Sequence, residues 1–184
     1  MALTNGQLTV ISCGIAVQAF ILVLLNTFVA QVAGVDQIWI AFQAWAMYFL
    51  AGCTIVGGIR AFIGYVTGVI ASILIILVMG LPGISNLPSV EGMNFVMATA
   101  VCIIVIPAIF LSEKLKNFIP ALFVGSGAFF ALATIEQLGA PDSSATFLSV
   151  SQGILVYCAF GLIFGFITVL WRGAYEASLN RNKS

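Results

Sequence analysis

No histidine occurs anywhere in these 184 residues, so the commonest metal ligand and the side chain that titrates unaided near neutral pH are both missing. Zinc, haem and proton-shuttle chemistry lose their usual residue. Charge is almost as scarce. Six basic and six acidic residues make up 7% of the chain, where soluble domains carry about a quarter. The formal net charge is zero, which removes the electrostatic footprint of a nucleic-acid partner. The four cysteines, Cys13, Cys53, Cys102 and Cys158, have no short pair spacing, so neither a metal site nor a redox motif is expected. Each reads as a small buried hydrophobe. Nothing pairs a nucleophile with a base as acyl transfer requires; Ser112 stands near Lys114 and Lys116, lysines better read as topology anchors. The expectation is a chain without enzymatic activity, cofactor or metal.

What the chain has instead is apolar surface. Hydrophobic residues make up 62% of it and the mean hydropathy is +1.19, more than a soluble fold can keep from water, so its expected partner is a lipid bilayer. Six stretches are long enough to cross one: Leu8–Ala33, Gln37–Cys53, Arg60–Met79, Gly92–Leu111, Asn117–Glu136 and Phe147–Trp171. They consume nearly all of residues 1–184, giving one all-α integral membrane domain, a compact bundle of six transmembrane helices. The first apolar run is far longer than the ~7–15 residues of a signal-peptide core, so it is read as a retained span. Threaded this way, Arg60, Lys114, Lys116, Arg172, Arg181 and Lys183 fall on one side, while Asp36, Glu91, Glu136 and Asp142 fall in or beside loops on the other. The lysine and arginine bias of cytoplasmic loops then places both termini in the cytoplasm, as expected of a polytopic inner-membrane protein.

Small residues mark helix faces. Gly64 and Gly68 form a GxxxG in the third span, and similar small-residue arcs appear in the fifth, at Ala121, Gly125 and Ala128, and in the sixth, at Cys158, Gly161 and Gly165. Such faces let helix backbones approach closely, within one protomer or between subunits of a homo-oligomer. The third and fifth spans also begin alike, Arg60-Ala-Phe-Ile and Lys116-Asn-Phe-Ile, as a duplicated hairpin would. Pro107 inside the fourth span removes a backbone donor and kinks a helix, whereas Pro120 falls in the first turn of the fifth, where proline is tolerated.

The second span carries an aromatic stripe, Phe42, Trp45 and Phe49, with Trp39 near its outer edge. An aromatic constriction passes flat neutral solutes and holds no ion; the competing reading is an interfacial or lipid-facing surface. Gln18, Gln43 and Gln152 are amides at depth, open to two readings, interhelical hydrogen bonding or solute contact. No acid or base lies deep in any span, so an ion site or proton relay built on charged side chains is unsupported. Glu136 comes closest, at the outer end of the fifth span. The order Gly64-Tyr-Val-Thr-Gly does not reproduce the potassium-filter signature.

Three segments carry a resemblance to a known family. Trp39-Ile-Ala-Phe-Gln-Ala-Trp-Ala-Met-Tyr-Phe-Leu-Ala-Gly, Asn117-Phe-Ile-Pro-Ala-Leu-Phe-Val-Gly and Phe160-Gly-Leu-Ile-Phe-Gly resemble a bacterial inner-membrane group catalogued as domain of unknown function 1097. The likeness covers Ile38 to about Gly173. It implies a compact multi-spanning protein and brings no catalytic residues with it. The residues themselves lead to the expectation of a homo-oligomeric channel or facilitator for a small uncharged or weakly polar solute of the urea, amide or ammonia kind, with Phe42, Trp45 and Phe49 as constriction and Gln18, Gln43 and Gln152 as hydrogen-bonding groups. The alternative is a non-transporting scaffold that binds another membrane protein through its glycine faces.

Overall fold

The structure, a computed structural model, describes residues 4–90, 93–135 and 143–181; the expectations placed on Glu91, Glu136, Asp142 and Lys183 lie outside them. Six helices follow one another: α1 Asn5–Ala33, α2 Trp39–Leu50, α3 Ile55–Met79, α4 Phe95–Lys114, α5 Ile119–Ile135 and α6 Ser143–Arg181. Their ends follow from local chemistry. Thr4 and Gln7 close a capping box at the start of α1, and Gly34, at φ 74°, ends it in the left-handed conformation that favours glycine. Between α2 and α3 the chain turns through two left-handed residues, Gly52 and Cys53, and the Thr54 hydroxyl then accepts from the Gly57 amide at 3.0 Å. The Asn94 side chain caps α4 in the same way, accepting from Met97. α4 continues through Pro107. Between α3 and α4, Ser89–Val90 and Met93–Asn94 form a two-residue antiparallel pair.

Four helices, α1, α3, α4 and α6, are long and apolar enough to cross a membrane. The two others are shorter. α2 has 12 residues, about 18 Å at the helical rise, against a hydrocarbon core of about 30 Å; only these 12 of the stretch 37–53 are helical, because turns occupy both of its ends. α5 has 17. α6, by contrast, continues past Trp171 to Arg181.

The core lies among α2, α3, α5 and α6, while α1 and α4 flank it with 11% of their apolar windows buried. The packing repeats itself. α3 packs most extensively on α5 and α6 on α2; α1 lies on α6 as α4 lies on α3; α2 meets α3 as α5 meets α6. Exchanging α1–α3 for α4–α6 therefore maps each of these contacts onto another of them, while the minor α4–α5 contact has no counterpart of its size between α1 and α2. The contacts match closely at one pair of glycines, Gly64 and Gly161. A Cβ added to Gly64 would lie 2.7 Å from the Phe118 carbonyl oxygen and 2.8 Å from Ala121 Cβ; one added to Gly161 would lie 2.1 Å from the Ala41 oxygen and 2.8 Å from Ala44 Cβ. One displacement along the chain carries Gly64 and Gly68 to Gly161 and Gly165, and a second carries Ala41 and Ala44 to Phe118 and Ala121.

Direction completes the relation. Gly64 and then Gly68 climb α5 from Phe118 to Ser126, and Gly161 and then Gly165 climb α2 from Ala41 to Tyr48, so α3 runs parallel to α5 and α6 parallel to α2. α1 runs antiparallel to α6, with Gln18 on Thr168 and Asn26 on Tyr157. Each half therefore traverses the bundle opposite to the other, and α2 and α5 occupy equivalent places. The Phe-Ile likeness of α3 and α5 is not this repeat: those helices are packing neighbours that start at the same end of the bundle, and the structural counterpart of α3 is α6.

Candidate functional site

The polar residues of α1 turn toward α6. The Thr168 hydroxyl donates to Gln18 Oε1, both side chains being buried. A turn and more further on, the Tyr157 hydroxyl lies 2.8 Å from Asn26 Oδ1 and 3.1 Å from the Val35 oxygen, and Asn26 donates to Asp36 at 2.6 Å. Gln152 Nε2 donates to the Val32 oxygen at 2.9 Å. These bonds form a seam between the two helices. A second, smaller polar contact joins α3 to α5, where the Ser72 and Ser126 hydroxyls lie 2.6 Å apart.

The aromatic stripe of α2 divides. Trp45 is buried, stacked on Phe42 at 6.1 Å and tilted against Phe164 at 5.8 Å. Phe42, Gln43 and Phe49 are exposed. Gln43 stands two residues from Trp45 and projects nearly opposite to it, so inserting the indole turns the amide out of the bundle. Phe49 lines a 390 Å³ hollow beside Thr168 and the Arg172–Glu176 ion pair. Of the six residues that the sequence singles out for solute contact, Phe42 and Trp45 touch one another, Gln18 and Gln152 join the α1–α6 seam, and Gln43 and Phe49 stand apart.

Gly64, Gly68 and Gly125 lie in the α3–α5 contact and Gly161 and Gly165 in the α6–α2 contact, each against a neighbouring helix of the same chain. Cys158 is buried, but Cys13, Cys53 and Cys102 are exposed: in so apolar a chain the outer surface suits a small hydrophobe as well as the core does. An apolar groove of about 430 Å³ runs between α3 and α6 and ends at the Tyr48 ring, which packs against Gly58 and Gly165.

Among the described residues, three buried polar atoms have no hydrogen-bond partner: Trp45 Nε1, the Tyr65 hydroxyl and Ser112 Oγ. An orphaned buried donor costs ~1–3 kcal/mol, and each such group in a native fold calls for an explanation. Ser112 lies at the end of α4. Trp45 and Tyr65 lie in the core. The sequence reading missed Tyr65, although its place between Gly64 and Gly68, against Leu162 between Gly161 and Gly165, is visible once the two GxxxG motifs are aligned.

The helices and their composition define an all-α protein whose long apolar helices are those of a membrane protein. The chain belongs to the family described as protein of unknown function (DUF1097), whose model matches residues 16–172; the match reaches well into α1, further than the segments that carry the resemblance. No curated protein and no solved structure matches the chain.

Proposed function

We propose that this is a six-span inner-membrane channel or facilitator for a small uncharged or weakly polar solute of the urea, amide or ammonia kind. The observation that carries the reading is the inverted packing repeat, in which α2 and α5 occupy equivalent places. In transporters built on such repeats, interrupted or shortened hydrophobic segments at corresponding positions border a solute site near the bilayer midplane. The neutral interior sets the solute class, because no charged side chain is available at depth to hold an ion. On this reading the termini and all six bases lie on the cytoplasmic side. The exposed side of α2, with the Gln43 amide in hydrocarbon, is assigned to contact between copies in a homo-oligomer, since amides in lipid seek partners.

The packing of the glycine faces favours transport over the scaffold alternative. Its glycine faces are occupied by helices of the same chain, which leaves them unavailable to another membrane protein.

Stopped-flow light scattering on proteoliposomes tests the proposal. Urea or acetamide permeability above that of empty liposomes is expected. Permeability equal to empty liposomes for urea, acetamide and glycerol, in protein shown to be folded, contradicts it.

A further inference from the structure

We propose that Arg60 and Lys116 hold the phosphodiester of an anionic phospholipid, in a hollow where the turn after α2, the start of α3 and the turn between α4 and α5 meet. The site requires a bilayer but not transport, and so stands apart from the channel reading.

Two bases converge there from distant parts of the chain. Arg60 and Lys116 line one hollow of about 310 Å³ together with Gly52 and Asn117, and no acid among the described residues lines it. Their charges are not met inside the protein. Glu176 is taken by Arg172, Asp36 is held by Asn26, and Glu113, though close in sequence to Lys116, does not line the hollow. Among the described residues neither base has an ion-pair partner. The repeat sharpens the contrast. The displacement that carries Gly64 to Gly161 carries Arg60 to Tyr157, whose hydroxyl is met within the protein by Asn26 and Val35; the donors of Arg60 are left for something outside it.

The fold does not ask for a lysine at 116. The Lys116 amide donates to the Glu113 oxygen and the Asn117 amide to the Ser112 oxygen, which closes α4 in the motif whose left-handed position is usually glycine. Lys116 occupies that position at φ 54°. A side chain is thus carried where the backbone would turn more easily without one, and an outlier of this kind points to a use for the side chain.

The surroundings select a lipid over a soluble anion. Arg60 lies on the second turn of α3, and Val56, Ile59 and Ile63, one turn before it, beside it and one turn after it, are all exposed. Leu50 and Leu115, near the mouth of the hollow, are exposed as well. In a bilayer such side chains face acyl chains, so the stem of Arg60 lies in the apolar layer and its tip reaches the phosphates. A guanidinium fork matches phosphate oxygens in pairs, and an ammonium beside it adds a point charge. Basic pockets between helices take anionic headgroups in this way.

Native mass spectrometry of the delipidated protein, titrated with phosphatidylglycerol or phosphatidylcholine, tests the site. The wild-type protein should bind phosphatidylglycerol the more tightly, and Arg60→Gln should weaken that binding about tenfold, the worth of a hydrogen bond to a charged group. Lys114→Gln removes an exposed base that does not line the hollow and should leave the preference unchanged. Lys116→Gly separates binding from folding: it should weaken phosphatidylglycerol binding while its unfolding midpoint without lipid stays level or rises, because glycine relieves the left-handed turn. Equal wild-type affinity for the two lipids overturns the proposal, as does an equal loss in Lys114→Gln and Arg60→Gln, or wild-type binding by Lys116→Gly. Phosphatidylglycerol binding abolished by millimolar inorganic phosphate would give the hollow to a free anion and overturn the lipid assignment.

Discussion

At the residue scale, amides buried in an apolar bundle are held by specific partners. Gln18 and Asn26 both turn to α6, where Thr168 and Tyr157 meet them, and this seam docks a helix that otherwise buries little. Interhelical hydrogen bonds of this kind average about 0.6 kcal/mol and reach about 1.7. Thr168→Val should destabilise the protein by about 1 kcal/mol, since it strands the Gln18 amide as well as breaking a bond. A double-mutant cycle of Thr168→Val with Gln18→Leu, read by unfolding in mixed micelles, should return a coupling within the range above; strict additivity would show that the two side chains do not interact. Why Trp45 and not Gln43 turns inward was not legible in the sequence. A membrane helix has no apolar face to distinguish from a polar one, because lipid and core are equally apolar, and the 160° between the two side chains left both orientations open.

At the scale of elements, the two glycine contacts are equivalent, and substitutions should report it. Gly64→Leu and Gly161→Leu each drive a side chain into backbone at a helix contact and should destabilise by comparable amounts, at or above the ~1–3 kcal/mol of overpacking. Gly127→Ala, where a Cβ meets nothing within 4 Å, should instead be neutral or stabilise by up to ~1 kcal/mol. Thermal unfolding of the three variants in detergent checks both halves of the expectation. The four long helices were legible because each rests on an unbroken apolar run. α2 was overextended, since hydropathy registers Gln37–Cys53 as nearly continuous but cannot see the left-handed turn at Gly52 and Cys53. The repeat was within reach in the paired GxxxG motifs and was obscured by the Phe-Ile likeness of α3 and α5, which arises between neighbours that start at one end of the bundle.

At the scale of the whole molecule, two three-helix units of opposite direction account for the packing and for the equivalence of α2 and α5. In the proposed six-span topology each half crosses the bilayer three times, beginning on opposite sides. Every base on the described residues then sits at one end, which orients the whole by the lysine and arginine bias of cytoplasmic loops. The short α2 is where this claim is most exposed, because an α2 that failed to cross would put residues 36 and 54 on the same side and break the inverted relation.

Single cysteines introduced at Asp36, Thr54, Ser85 and Asn117, in a background with the four native cysteines replaced, and labelled with a membrane-impermeant maleimide before and after permeabilisation, measure this directly. The inverted repeat predicts labelling at 36 and 85 in intact spheroplasts, and at 54 and 117 only after permeabilisation. Labelling of 36 and 54 from the same side would contradict it.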